Sequence, residues 1–142
     1  MDYKIHDKLS AKDIELISNF LFKHLEEYGD EREAIAKAID YAQGDKPGTG
    51  GKIFTAQDHG EIKGAVVVNK TGMEGYIPEN ILVYIATHKD TRGKGVGKQL
   101  MKLALDNCNG DFALHVEHNN PAKFLYEKLG FTNPYLEMRL KR

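Results

Sequence analysis

Arg92-Gly93-Lys94-Gly95-Val96-Gly97 follows a β-branched run, Ile81 to Thr87, and opens into Lys98-Gln99-Leu100-Met101-Lys102-Leu103-Ala104-Leu105. The first run reads as a strand and the second as a helix, so the glycines form a strand-to-helix turn. Such a turn is suited to phosphate. The unpaired N–H groups at a helix start point outward, and the macrodipole places about half a positive charge there. Glycine lets backbone approach an anion with no Cβ between them. Each charge-assisted N–H to a phosphate oxygen contributes about 1.5–3 kcal/mol, so a few of them anchor a diphosphate. A helix start whose glycines serve only tight packing is the competing reading.

Spacing removes two phosphate motifs. A P-loop has Arg92 where its first glycine belongs, and Gln99 where a magnesium-binding hydroxyl belongs. A dinucleotide fingerprint would need a third glycine where Lys98 stands. The pattern that fits is Arg/Gln-x-x-Gly-x-Gly, read as Arg92, Gly95 and Gly97. Downstream comes Leu114-His115-Val116-Glu117-His118-Asn119-Asn120-Pro121-Ala122-Lys123-Phe124-Leu125-Tyr126-Glu127-Lys128-Leu129-Gly130-Phe131, a strand ending in Asn and then Leu-Tyr-Glu-Lys-Leu-Gly-Phe. The two motifs, in this order and a helix length apart, resemble the paired signatures of the GNAT acyltransferase superfamily, whose glycine turn cradles the pyrophosphate of coenzyme A.

The rest of the chain agrees with an α/β fold. At 142 residues, with 41% hydrophobic and 29% charged residues, it reads as one soluble domain spanning 1–142. A net charge of −1 gives no general ground for nucleic-acid binding. The basic cluster Arg139, Lys141 and Arg142 reads as a solvated strand end. The N-terminus begins no apolar signal segment and no run suits a membrane span, so the expectation is a cytoplasmic protein. One cysteine, Cys108, excludes an internal disulfide and reads as packing.

Tyr3 to Leu9 reads as a first strand. Ser10-Ala11-Lys12-Asp13 resembles a capping box ahead of Ile14, Ile17, Leu21 and Leu25 at helical spacing. Asp30 with Glu33 offers a second helix start, with Ile35, Ala38, Ile39 and Ala42 on its buried face. Lys52 to Gln57 and Glu61 to Asn69 read as a hairpin about Asp58-His59-Gly60, after the loop 44–51. Thr71 to Asn80 reads as a loop, Phe112 to Glu117 as a strand, Asn120-Pro121 as a helix start and Leu136 to Lys141 as a closing strand. The fold class expected with the resemblance is a mixed α/β sheet of about six or seven strands flanked by about four helices.

The resemblance implies acetyl-CoA as acyl donor, no metal, and direct transfer to an amine of unidentified structure, small molecule or protein. Carried over by position, it gives backbone at Ala86, Thr87 and His88 to the pantetheine arm between two splayed strands. It gives backbone at Arg92, Gly93, Lys94, Gly95, Val96, Gly97, Lys98 and Gln99 to the pyrophosphate, and a cofactor contact to Asn119. Tyr126 holds the position of the family tyrosine near the thioester sulfur. The family places its base variably, so Glu117, Glu79 and a water relay all stay open. Glu117 is favoured from its place at the strand end, across from Leu114 and Val116. Small members often form homodimers, though no patch here identifies an interface. A non-catalytic acyl-CoA sensor or assembly domain is the alternative from another class.

Two features invite other readings. His88, His115 and His118 suggest a metal, but helical His-Glu-x-x-His is absent and strand alternation separates His118 from His115. Glu26, Glu27, Asp30, Glu31 and Glu33 make the junction of the first two helices acidic. That junction reads as solvated helix ends, or as a local field that draws a cationic amine.

Overall fold

The computed structural model describes residues 1–142. Five strands form one sheet in chain order: β1 (Asp2–His6), β2 (Gly51–Asp58), β3 (Glu61–Lys70), β4 (Asn80–Thr87) and β5 (Phe112–Leu114). Neighbours are antiparallel except β4 and β5, which are parallel. Four helices accompany them: α1 (Ala11–His24), α2 (Arg32–Gln43), α3 (Val96–Asn107) and α4 (Ala122–Lys128). The mixed α/β class is as the sequence implies, with five strands in place of six or seven.

Local chemistry sets most element ends. Ser10 caps α1, its hydroxyl accepting from the Asp13 amide at 3.1 Å. The hairpin turns on His59 and Gly60, both at positive φ, between the paired residues Asp58 and Glu61. That conformation matches the twist of the two strands. Asn120 starts α4 by accepting the Ala122 amide on Oδ1 at 2.9 Å.

Four expectations need correction. β1 stops at His6 rather than Leu9. Asp30 does not cap α2: Glu31 holds that place without a side-chain bond, and Asp30 accepts the Tyr84 hydroxyl at 2.6 Å. β5 ends at Leu114 rather than Glu117, because the ladder with β4 stops at Leu82 and leaves the following residues no partner. Leu136 to Lys141 forms no strand, since no other strand lies alongside to accept its backbone groups.

The sheet separates two apolar layers. On one face Ile17, Leu21, Ile35 and Ile39 of α1 and α2 pack on Ile53, Ala65, Val67, Tyr84 and Ala86. On the other, Leu100, Met101 and Ala104 of α3 and Tyr126 of α4 pack on Phe54, Ala56, Val66, Val68 and Leu82. Strand alternation would put Leu82 and Tyr84 on the same face. They lie on opposite faces because β4 carries a bulge: Val67 pairs with Tyr84 but Val68 pairs with Leu82, so Val83 is the additional residue.

Gly64 fixes how closely α3 approaches. A Cβ on Gly64 would lie 2.6 Å from Leu100 Cδ1 and 3.3 Å from Val96 Cγ1. Both side chains belong to α3 and both are buried. The missing side chain on β3 therefore sets the seat of the helix that follows the glycine turn. Gly64→Ala should cost about 1–3 kcal/mol through overpacking, read as a lower urea midpoint at unchanged m-value. Wild-type stability in that variant would show that α3 does not depend on this close approach.

Candidate active site

The bulge at Val83 has a direct consequence next door. β4 and β5 pair at Asn80, Ile81 and Leu82 with Phe112, Ala113 and Leu114, and then part. From Tyr84 to Thr87 β4 stays paired with β3 on its other side, while from Val83 to Thr87 its β5 side has no strand partner. That open edge is roughly 16 Å long at about 3.3 Å per residue. Its inward amides and carbonyls are available to an extended ligand, as they would be to a strand. Ala86, Thr87 and His88 lie along and just beyond it.

The glycine turn stands at the open end. His88 to Arg92 form a short 3-10 turn closed by Thr91 and Arg92 amides on the His88 and Lys89 carbonyls. Gly93 and Gly95 take φ +78° and +79°, and a Cβ on either would meet nothing within 4 Å. Their positive φ requires glycine; the space above them is open. The Lys94 amide is bound to Thr91 and the Gln99 amide to Gly95. The amides of Gly93, Gly95, Val96, Gly97 and Lys98 keep no acceptor within the chain. Five free N–H groups therefore gather at the start of α3, beside the end of the splayed strand. Gly97 differs from its neighbours, because a Cβ there would make ordinary 3.7 Å contacts with Leu125 and Thr87.

The connection from α1 to α2 covers the same end. Tyr84, turned by the bulge toward α1 and α2, donates to Asp30, and burial is the first cause holding its phenol above the ordinary range. The Tyr28 hydroxyl donates to the Asn119 carbonyl at 3.3 Å, so this link uses Asn119's backbone rather than its amide side chain. Arg92 pairs with Glu26 at 3.3 Å, joining the acidic junction to the glycine turn. Desolvation, then Glu27, Glu117 and Glu26, push the Tyr28 phenol upward. The His24 and His88 rings pack at a tilt of 42°, with centroids 4.6 Å apart. Burial, then the charge of His88, lowers the His24 pKa.

Tyr126 lies on the other wall. Its ring is buried against Phe131, with centroids 6.0 Å apart. Tyr28, Tyr41 and Tyr84 each donate to a partner within the chain, whereas the Tyr126 hydroxyl has none. Burial and the negative charge of Glu117 push it up to about 12. Glu117 itself is exposed. The charge of Glu117 thus reaches both Tyr126 and Tyr28, and the Tyr28–Asn119 bond ties the α1–α2 connection to the segment before α4.

Glu79 is placed elsewhere. It precedes β4 at the end remote from the glycine turn, accepting the Asp111 amide at 2.7 Å and the Gly75 amide at 2.9 Å. Those backbone bonds lower its pKa. His115 and His118 are exposed, while the His88 ring accepts the Asp90 amide. Reading the sequence missed Tyr28, Tyr84 and Asn80. Asn80 is buried and donates to the Asn109 and Asp111 carbonyls, which fastens β4 to the turn before β5. A polar residue directly before an apolar strand was the available signal for it.

Residues 49–133 match the acetyltransferase (GNAT) domain family, which is more than half of the chain. The chain belongs to that family. It is 30% identical over 84 residues to the 5-NmdU N-acetyltransferase of Pseudomonas phage PaMx11, a match covering 58% of each protein. The chain thus spans about 58% of that relative's length. Among solved structures it resembles PH1933 of Pyrococcus horikoshii, at 30% identity and TM-score 0.67, over 96% of this chain and 93% of that one. It also shares its fold with an aminoglycoside N-acetyltransferase in complex with CoA, at 17% identity and TM-score 0.70, over 99% and 95% of the two chains. No helix is long and apolar enough to cross a membrane.

The two glycines of the motif should respond oppositely to alanine. Gly95→Ala forces a Cβ into left-handed backbone and should lower stability by about 1–2 kcal/mol. Gly97→Ala, within α3 and free of clashes, should be neutral or add up to about 1 kcal/mol. Chemical denaturation of both variants checks the contrast, and equal effects would contradict the assigned backbone roles.

Proposed function

We propose that this chain is an N-acetyltransferase that moves an acetyl group from acetyl-CoA directly to an amine. The observation that carries the reading is the alignment of an unpartnered strand edge, Val83 to Thr87, with five free amides at the α3 start. An extended amide-bearing arm suits the edge, and a pyrophosphate suits the amides, whose approach glycine at 93 and 95 leaves clear. The donor reading is supported by family membership.

Transfer forms a C–N bond at the thioester carbonyl and breaks its C–S bond. The amine must first be neutral. A lysine-like amine of pKa near 10.4 needs about 4.6 kcal/mol to lose its proton at pH 7, at 1.36 kcal/mol per unit. Glu117 is the carboxylate assigned to take that proton, directly or through water, since its charge reaches Tyr126 while Glu79 is bound to backbone at the far end. The leaving sulfur must be stabilised as it gains charge. Tyr126, with its free hydroxyl held protonated well above neutral pH, is the hydrogen-bond donor assigned to it. Full transfer of its proton to a thiol of ordinary pKa near 8.5 would be uphill by about 5 kcal/mol from a phenol near 12. Donation to the sulfur is therefore the reading adopted, with the thiolate taking its proton from solvent or from the protonated nitrogen of the tetrahedral intermediate as it collapses to the amide.

The acceptor is an amine whose approach passes Glu26, Glu27 and Tyr28. The phage relative's 5-NmdU is the first acceptor to assay, beside simple primary amines. Tyr126→Phe should lower kcat by about tenfold or more while leaving donor affinity near wild type. Glu117→Gln should lower the rate and remove the rising acid limb of its pH profile. Steady-state assays of CoA release decide both: a wild-type kcat in Tyr126→Phe, or an unchanged profile in Glu117→Gln, removes the corresponding role.

A further inference from the structure

Glu26, in the connection between α1 and α2, holds left-handed backbone at φ +55°. Glycine takes that conformation freely, whereas a residue with a Cβ is disfavoured there by about 1–2 kcal/mol. His59, the other such residue, stands at a hairpin tip, where the turn itself requires it. Glu26 has no hairpin to serve. Its carboxylate instead reaches the glycine turn, where Arg92 Nη2 donates to Oε1 at 3.3 Å across 66 residues of sequence.

Two other bonds hold the same connection. Tyr28 donates to the Asn119 carbonyl at 3.3 Å, and Asp30 accepts from Tyr84 at 2.6 Å. The connection is thereby tied to the segment before α4, to β4 and to the glycine turn. Of these three ties, only Arg92–Glu26 joins two charges, and both side chains are about half exposed. Arg92 also directly precedes the free amides that begin at Gly93. A diphosphate on those amides would offer the guanidinium several anionic oxygens and a bidentate geometry, against one long bond to Glu26. The same charge would repel the Glu26 carboxylate.

We propose that the Arg92–Glu26 pair is a latch opened by the donor: a bound diphosphate takes the guanidinium, repels the carboxylate and frees Leu25 to Glu27 from the glycine turn. The inference rests on the donor site proposed above, and it gives that site control over the connection along which the acceptor approaches. The strain at Glu26 acts in the direction of opening. Left-handed backbone persists only while its surroundings hold it there, so loss of the Arg92 bond lets Glu26 relax. The Tyr28 and Asp30 bonds remain, which confines the movement to the residues ahead of them. Linkage makes the effect reciprocal: whatever loosens the pair strengthens donor binding, and whatever tightens it weakens donor binding.

Isothermal titration with CoA across a double-mutant cycle tests this, in the wild type, Glu26→Gln, Arg92→Met and the two changes together. Both positions are exposed, so the fold should be kept in all four. With its competitor removed, Glu26→Gln should bind CoA up to about fivefold more tightly at low salt, the range of an exposed ion pair. Arg92→Met should bind more weakly, and Glu26→Gln should add nothing in that background. Hydrogen exchange of residues 25–29 should quicken when CoA saturates the wild type, and should already be quick in Arg92→Met. Unchanged affinity in either single variant overturns the latch while the donor site stands. An equal gain from Glu26→Gln with and without Arg92 overturns it too, by reducing Glu26 to a repulsive charge, as does exchange at 25–29 that CoA slows or leaves alone. A wild type that binds no CoA removes the donor site itself.

Discussion

One additional residue in β4 governs the site. Without the bulge at Val83, β4 and β5 would continue as an ordinary parallel pair, and the amides between Val83 and Thr87 would be satisfied inside the sheet. The bulge does two things at once. It ends the ladder with β5 at Leu82, and it turns Tyr84 to the opposite face, where its hydroxyl reaches Asp30. The gap and the tether that holds the α1–α2 connection above it therefore have the same origin. Bulges commonly re-aim side chains beside functional sites in this way.

A second constraint places the amides at the end of that gap. The close contact of Gly64 with Leu100 and Val96 seats α3 on the sheet, and the buried face of α3 packs on Phe54, Val66 and Val68. Since α3 is fixed, its first free N–H groups are fixed as well, and they cost no reorganisation when an anion arrives. The loop supports them by using its own Lys94 and Gln99 amides internally. Arg92, which the motif alone would assign to phosphate, is held by Glu26 at 3.3 Å, with both side chains about half exposed. Such a surface pair contributes on the order of 0–1 kcal/mol and leaves the guanidinium readily redirected.

Reading the sequence recovered the elements whose signals are local. Gly93, Gly95 and Gly97 between a β-branched run and an amphipathic run located the strand, turn and helix, and Ser10 located the start of α1. What it could not reach depended on partners distant in sequence. Alternation applied to Leu82 and Tyr84 gives the wrong face, because a bulge is defined by the neighbouring strand and not by the strand itself. Asp30 reads as a cap until Tyr84, 54 residues away, claims its carboxylate. Leu136 to Leu140 alternates like a strand, but alternation states only which side is apolar, not whether a partner is present. Glu117 and Glu79 are equivalent as carboxylates near strand ends; backbone bonds from Asp111 and Gly75 distinguish them.

We propose that the splayed β4 edge and the free amides of the glycine turn form a single donor site. Isothermal titration of the purified chain with acetyl-CoA, beside a Gly95→Glu variant shown by circular dichroism to be folded, tests it most directly. Saturable binding by the wild type is expected, and its loss when a carboxylate is set among the amides. No binding by the wild type, or equal binding by the folded variant, would contradict it.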